Sequence, residues 1–396
     1  MTAKKVPVLF ENETQCCACG ACENICPKQA ISFCENESGF LYPKIDEEKC
    51  IGCEKCINVC AFNKSAVKNS PLSTYASIAK NDVVRKNSAS GGIFTALAEK
   101  VISEGGFAFG VVMDEDFNIH HSIISKEEDL KKTRNSKYAQ SSTEKTFQEA
   151  KNLLESGKTV LYSGTPCQID GLLSFLKKDY DNLITVDIIC HGVPNNKMFS
   201  DYINSLKSQG ELSEFIFRDK EIGWGINATV KVNGKKRKLW NSASPYLYYF
   251  TKGLIYRESC YNCKYACKNR PADITLGDYW GIEKMHPEYL DKNEWNEEKG
   301  ISVVIANTNK GVEFLNSAKN EIELKPSDFE KAASANAQLR HPSKKHNRDE
   351  IISVYKSGGF AALEARFKKN IGWRIHTSRI KSLVPKLIKR KLKSMK

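Results

Sequence analysis

From residue 75 onward, short apolar runs alternate with stretches whose apolar residues recur at helical spacing. Tyr75-Ala-Ser-Ile-Ala reads as a strand. Gly91 to Ile102 carries apolar residues at i, i+3 and i+4 and predicts a helix, with Ser88 or Ser90 available to cap it. Phe107-Ala-Phe-Gly-Val-Val-Met is again an apolar strand. A polar helix (Thr143 to Ser156) leads to a strand (Thr159 to Ser163). A second helix (Gln168 to Lys178) leads to a buried strand (Leu183 to Ile189). Ala228–Val232 and Lys236–Trp240 flank Asn233-Gly234, a type I′ hairpin signal. Strands alternating with helices predict an α/β core with a β-rich insertion. Before residue 67 the pattern differs. Only Ala30-Ile-Ser-Phe and Gly39-Phe-Leu-Tyr read as short strands, and a polar linker (Asn63 to Pro71) follows. A stretch this short buries little core and needs staples.

The staples are visible as cysteines. Cys16, Cys19, Cys22 and Cys26 form C-x2-C-x2-C-x3-C followed by Pro27, and Cys50, Cys53, Cys56 and Cys60 repeat the spacing with Ala61 after it. This is the ligand pattern of a bacterial two-cluster ferredoxin, in which each run supplies three corners of one [4Fe–4S] cube and the fourth corner of the other. Cys16, Cys19, Cys22 and Cys60 are therefore expected on one cube, and Cys50, Cys53, Cys56 and Cys26 on the other. Zinc sites favour two C-x2-C pairs with a longer spacer, and disulfides need an oxidising compartment. Residues Met1 to Asn12 lack the apolar core of a signal peptide, which points to the cytoplasm. Cys17 and Cys34 fit no quartet and read as packing residues or spare thiols.

Charge changes the picture less than its total suggests. The 396 residues carry a formal +13, but residues 367–396 contain eleven Lys or Arg and no acid, so the other 366 carry +2. A nearly neutral body argues against nucleic-acid binding. Ile380, Val384, Leu387, Ile388 and Leu392 roughly follow helical spacing in this basic tail. With Trp373 it can lie peripherally on an anionic inner-membrane surface, although a frayed solvated terminus is the plainer reading and Pro385 interrupts any single long helix. No apolar run reaches the 18 or more residues of a membrane span.

Five further cysteines fall in the α/β region: Cys167, Cys190, Cys260, Cys263 and Cys267. Cys167 and Cys190 each follow an apolar strand, where α/β folds keep their sites. Four thiols from three segments can hold a third [4Fe–4S] cube; a structural zinc is the direct rival, and buried free cysteines the bland one. Ser88-Ala-Ser-Gly91-Gly92 precedes a helix, where backbone amides can approach phosphate, though a turn with an N-cap explains it equally well. Lys137 can supply a charge and Tyr138 a ring face, or both can sit in an exposed loop.

Taken in order, Ser88-Ala-Ser-Gly-Gly, Ser136-Lys-Tyr, Gly164-Thr-Pro-Cys-Gln, Cys190-His-Gly-Val-Pro, Phe217-Arg-Asp-Lys, Gly223-Trp, Ser259-Cys-Tyr-Asn-Cys and Asp273-Ile-Thr-Leu-Gly-Asp-Tyr-Trp-Gly resemble the coenzyme F-420 hydrogenase/dehydrogenase beta-subunit family. The resembling stretch runs from about Tyr75 to Asn336, with the ferredoxin module in front. The resemblance implies an FAD-binding α/β domain, FAD contacts at Ser88, Ser90, Gly91, Gly92, Lys137 and Tyr138, and a cube on Cys167, Cys190, Cys260 and Cys263. Cys267 lies outside the shared pattern. In the family's namesakes the flavin exchanges a hydride with the deazaflavin coenzyme F-420; other relatives are associated with cell-surface polysaccharide synthesis.

The expected organisation is a ferredoxin-type domain (1–66), a mixed α/β domain binding FAD and iron–sulfur (67–345), and a helical basic tail (346–396). The expected function is an iron–sulfur flavoprotein oxidoreductase that passes electrons from a partner such as ferredoxin to a small organic acceptor. The alternative is a non-catalytic electron-transfer subunit of a larger dehydrogenase or hydrogenase complex. His191, Lys137, Tyr138 and Asp278 are candidate proton donors near the flavin, with none assigned as catalytic, and His191 is more naturally a hydrogen-bond donor to a cluster ligand.

Overall fold

The computed structural model describes residues 5–63, 69–291 and 293–383, with side chains described as far as residue 372. Two short strands, β1 (Ile31–Glu35) and β2 (Leu41–Ile45), pair antiparallel in the N-terminal module, beside the short helices α1 (Ala21–Ile25) and α2 (Lys55–Asn58). The rest is built on one eight-stranded mixed sheet. Its strands are β3 (Ser73–Ala79), β4 (Phe107–Met113), β5 (Ile119–Ile124), β6 (Val160–Gly164), β7 (Leu183–Ile188), β11 (Ile274–Asp278), β12 (Ser302–Ala306) and β13 (Ile322–Ser327). A separate three-stranded sheet holds β8 (Leu212–Ile216), β9 (Ala228–Val232) and β10 (Lys235–Leu239), with the Asn233-Gly234 hairpin joining the last two.

The large sheet runs in the order β13-β3-β12-β11-β7-β6-β4-β5. Its centre, β4-β6-β7-β11, is parallel, and the strands outside it pair antiparallel. A parallel centre is covered on both faces, so its strands read as continuous apolar runs rather than alternating ones. On one face Val186, Ile184 and Leu161 pack under α3 (Ile93–Ser103), with Leu97 and Val101. On the other, Val160, Tyr162 and Leu183 pack under α4 (Thr146–Glu155) and α5 (Pro166–Leu176), with Phe147, Ile169 and Leu172.

The N-terminal module is docked into these layers. Ala21 and Val59 join the core beneath α4 and α5. Phe40 and Tyr42 join a third core with Phe199, Tyr246 and Tyr355. That third core also takes in α6 (Arg348–Leu383), which is broken at Gly358 and Gly359, the latter in the left-handed region at φ +62°. Phe360, Leu363, Phe367 and Ile371 form its buried stripe, and Phe367 meets Tyr248 edge-on at 5.4 Å. Two apolar residues at the start of the basic segment, Phe367 and Ile371, are thus core residues rather than surface ones. Val384, Leu387, Ile388, Leu392 and Pro385 lie outside the described residues, as do the side chains of Trp373 and Ile380. Among the described residues no helix is long and apolar enough to cross a membrane.

One local expectation needs correcting. Neither Ser88 nor Ser90 caps α3. Its N-cap is Gly92 at φ +85°, with no side-chain cap, while Ser88 Oγ donates to the Val84 carbonyl (2.7 Å) and Ser90 Oγ to the Ile301 carbonyl (3.1 Å). The serines hold the turn that precedes the helix, not the helix itself.

Candidate iron–sulfur and flavin site

The N-terminal quartets fold as two interleaved sets. Cys26, Cys50, Cys53 and Cys56 line one small cavity together with Pro7, Ile31, Ile45 and Ile51. The loop curls tightly enough for this because Gly52 (φ +70°) and Glu54 (φ +56°) adopt left-handed backbone. Backbone amides already point at sulfur: Ala30 N lies 3.3 Å from Cys26 Sγ and Gly52 N 3.4 Å from Cys50 Sγ. Cys22 is pushed well up by burial and then by the neighbouring charges of Cys19, Cys16 and Cys60. Cys60 therefore stands with the first run and Cys26 with the second. Four thiols around one void, free of disulfides, are the donor set a cube takes.

The second region lies at the carboxyl ends of the parallel strands, the place an α/β sheet offers for a site. A cavity of about 480 Å³ opens there, within the range of about 300–1,000 Å³ common for ligand pockets. Cys167 sits in the first turn of α5, behind its N-cap Thr165, whose hydroxyl lies 3.2 Å from Cys167 Sγ. Cys190 follows the end of β7. Cys260 and Cys263 come from the tight turn Glu258–Asn262 and its C-cap. All four line the cavity. Burial raises Cys190 well above the usual thiol range and Cys260 to about 12, with neighbouring thiolate charge adding to it. A bound metal reverses that preference, because a coordinating thiol loses its proton outright. Cys267 does not line the cavity; its thiol donates to the Lys264 and Asn269 carbonyls. Cys34 is exposed on β1.

Two buried arginines hold these loops. Arg270 donates to Asp187 Oδ1 (3.0 Å), the Ile188 carbonyl (2.8 Å) and the Tyr265 carbonyl (2.7 Å), tying the cysteine turn to the end of β7. Both members of that ion pair are almost wholly buried, at 1% and 0% exposure. Arg270→Ala would strand the Asp187 carboxylate and is expected to destabilise the chain by about 3–5 kcal/mol, read as a lower apparent unfolding midpoint in urea. A loss below about 1 kcal/mol, the size of a surface pair, would contradict this. Arg257 donates to Gln140 Oε1 (2.9 Å), the Leu41 carbonyl (2.6 Å) and, more distantly, the Cys16 carbonyl (3.4 Å). It packs over the Tyr42 ring at 4.4 Å and so joins the N-terminal module to the cysteine turn.

The same cavity is also lined by Ser88, Ser90, Gly92, Lys137 and Tyr138. Gly91 is the exception among the expected flavin contacts. A Cβ on it would come within 2.5 Å of the Ser77 carbonyl and 2.9 Å of Ser302 N, so its bareness serves packing on β3 and β12 rather than the cavity. Lys220 Nζ binds the carbonyls of Arg85, Ser90 and Lys299 and fixes the turn. Lys137 Nζ donates to the Lys132 and Arg134 carbonyls, and burial pushes it down to about 7. Tyr138 stacks on Phe250 at 4.4 Å. Opposite stands a buried pair, Arg218 with Asp278 (2.5 and 2.8 Å), whose carboxylate also accepts from Trp224 Nε1 (2.7 Å). Trp224 stacks on Trp280 at 4.7 Å, and His191, depressed by burial, faces the pair. Gly92 at the N-terminus of α3 and the rings of Tyr138 and Trp280 share this lining. Arg218 and Lys220 stand in the Phe217-Arg-Asp-Lys motif, which by itself gives them no role, and Arg257 and Arg270 belong to no motif. The available signal for the last two is their position on either side of the Cys260–Cys267 run, but their partners lie far away in sequence.

Comparison with known proteins gives three matches along the chain. Residues 15–64 match the 4Fe-4S dicluster domain. Residues 74–148 and 157–331 match the N-terminal and C-terminal parts of the coenzyme F420 hydrogenase/dehydrogenase beta subunit. A subunit of the F(420)H(2) dehydrogenase of Methanosarcina mazei is 25% identical over 162 residues, covering 39% of this chain and 46% of that one. The coenzyme F420-dependent sulfite reductase of Methanocaldococcus jannaschii is 24% identical over 370 residues, covering 89% of this chain and 54% of that one. The chain thus spans about half the length of these two relatives. A solved chain of the F420-reducing [NiFe] hydrogenase complex from Methanosarcina barkeri aligns at a TM-score of 0.46 and 18% identity, over 73% of this chain and 94% of that one. With both parts of the beta subunit matched in order behind a dicluster domain, the chain belongs to the coenzyme F420 hydrogenase/dehydrogenase beta-subunit family.

Proposed function

We propose that this chain is an iron–sulfur flavoprotein serving as an electron-transfer subunit of a larger hydrogenase- or dehydrogenase-type assembly. It would exchange single electrons with a protein partner such as ferredoxin and electron pairs with an organic carrier of the deazaflavin type. The observation that carries this reading is one cavity lined both by Cys167, Cys190, Cys260 and Cys263 and by Ser88, Ser90, Gly92, Lys137 and Tyr138. Cubes would supply one-electron transfer and FAD the conversion between one- and two-electron chemistry. The chain's own work is placement. Arg270 and Arg257 set the thiols, Lys220 holds the phosphate-facing turn, and buried aromatics keep water from the flavin end.

The donor set favours a cube over zinc. Four zinc-bound sulfurs, each about 2.3 Å from the metal, crowd within about 4 Å of one another. Among the described residues no three His, Cys, Asp or Glu side chains converge on a single metal ion, and this holds equally for the two quartets inside the dicluster match. The relatives' names, a dehydrogenase subunit and an F420-dependent reductase, move weight from the stand-alone reductase to the subunit reading. Neither of those relatives is named for polysaccharide synthesis, and the proposal leaves that association out.

The test is flavin content and reactivity. Anaerobically prepared chain is expected to release about one FAD per molecule on denaturation. It should also be reducible by dithionite, and the reduced chain should pass electrons to a deazaflavin carrier. Chain that holds its iron but neither retains nor rebinds FAD would contradict the flavin end of the proposal.

A further inference from the structure

The two quartets of the N-terminal module are not placed alike. The Cys16/Cys19/Cys22/Cys60 set is turned to the body. Cys19 and Cys22 pack against the core beneath α4 and α5, and Cys16 packs against the third core. A Cβ on Gly171 of α5 would lie 2.8 Å from Cys19 Sγ, so helix and cysteine are in close contact. Thr143 Oγ1 donates to the Cys19 carbonyl (3.2 Å), and Lys264 Nζ donates to the carbonyl of Ala61, next to Cys60.

The Cys26/Cys50/Cys53/Cys56 set is turned to solvent. Among the described residues, every one that lines its cavity belongs to the module, from Pro7 to Cys56. Of the eight quartet cysteines, Cys53 alone is exposed. Apolar side chains surround it in the open: Ile51 is 53% exposed, and Val8, beside the lining residue Pro7, is 72% exposed. Apolar residues left in water and rimmed by charge mark an interaction site. The charge here is Lys28 and Lys55, both exposed, against one exposed acid, Glu54; all three line the cavity. The rim is therefore net positive.

We propose that this rim, with Val8, Ile51, Cys53, Lys28 and Lys55, is the docking surface for an acidic protein that carries a one-electron centre of the ferredoxin type. This rests on the reading of the chain as an electron-transfer subunit. An electron crosses most readily where a ligand sulfur reaches the surface, and the positive rim selects and orients a negative partner. Redox encounters use small interfaces, below about 1,200 Å², so a few apolar side chains and a charged rim suffice. One electron leaves the partner's centre and is taken up at the Cys26/Cys50/Cys53/Cys56 set; no bond forms or breaks, and no proton moves. The Cys16/Cys19/Cys22/Cys60 set, in contact with α5, is the next stop toward Cys167 in the first turn of that helix.

The experiment uses the full chain, loaded anaerobically, with an acidic bacterial two-cluster ferredoxin as the probe. Hydrogen exchange of the oxidised chain is measured with and without oxidised ferredoxin, and the second-order rate at which prereduced ferredoxin reduces the chain is measured by stopped flow. Protection is expected at residues 26–31 and 50–56, the segments that line the exposed set. Ile51→Ser and the double variant Lys28→Glu/Lys55→Glu, each with wild-type iron, should slow the reduction about tenfold at low salt. The deficit of the lysine variant should shrink as salt rises. A charge-matched control, Lys235→Glu/Arg237→Glu on the exposed strand β10, should change the rate less than about twofold. Should Ile51→Ser lose iron, the lysine variant and the exchange footprint decide. Wild-type rates in the lysine variant, protection centred on another surface, or an equal loss in the β10 control would overturn the docking surface. Wild type that dithionite reduces and ferredoxin does not would remove the protein-partner reading, and the surface with it, so the two failures are told apart.

Discussion

Replacing Cys190 by serine is expected to remove about four iron atoms per chain and to leave about eight. The choice of residue matters. Cys260 and Cys263 come from one turn and could compensate for each other by a small shift, with Cys267 close behind in the chain. Cys190 is the sole cysteine between Cys167 and Cys260 in the sequence, and burial leaves its thiol strongly disfavoured as an anion unless a cation binds it. Serine keeps the volume and removes the soft ligand. The N-terminal quartets lie on other segments, so their eight iron are expected to stay, along with the visible absorption belonging to them. Iron unchanged in Cys190→Ser would take this residue out of the ligand set. Loss of all iron would mean that the variant had unfolded rather than lost one site, and circular dichroism separates the two.

Stripping the iron altogether is expected to unfold the N-terminal module while the large sheet survives. Hydrogen exchange should find residues 16–60 unprotected and β4, β6, β7 and β12 still slow. The reason is where the apolar residues sit. Ala21 and Val59, like Phe40 and Tyr42, fill cores that belong to the body. The module itself has one two-stranded ribbon and two α-helices of five and four residues. Such elements are marginal alone, and the binding energy of the metal is then the folding energy of the module. Side chains of the body do reach the module: Asn195 Nδ2 donates to the Ser38 carbonyl (2.6 Å), Gln148 Nε2 to the Asn24 carbonyl (2.6 Å) and Arg257 to the Leu41 carbonyl. Each contributes only about 0.5–3 kcal/mol, too little to offset the ordering entropy of some forty residues. A module that kept its exchange protection after iron removal would show that docking alone holds it.

Much of this is legible in the sequence, for identifiable reasons. Phe107–Met113 is the strand the apolar run predicts, residue for residue, because a parallel strand buried on both faces leaves no polar interruption. The hairpin announced by Asn233-Gly234 pairs Lys235 with Val232, one residue earlier than expected. Strands β5, β8, β11, β12 and β13 are not among the strands read from the sequence. Of these, β5 and β13 are edge strands of the large sheet, and β13 carries Pro326, which argues against a strand anywhere but an edge. The serine turn is where the sequence puts it but does a different job, since Gly92 in left-handed backbone ends the turn where a serine cap is expected. Cys17 shows why the remainder is hidden. Its spacing marks it as surplus, and only the fold, by seating α5 against the first cysteine loop, brings it to the cavity that Cys167 also lines, far away in the chain. Arg257 is hidden in the same way, because its partners Gln140 and Leu41 come from segments that no local pattern connects.

Three cysteine quartets, two in the module and one at the cavity, are each proposed to hold a cube. Iron and acid-labile sulfide, counted on wild-type chain purified without oxygen, test this most directly. About twelve of each per chain is the expected result, and about eight would contradict it.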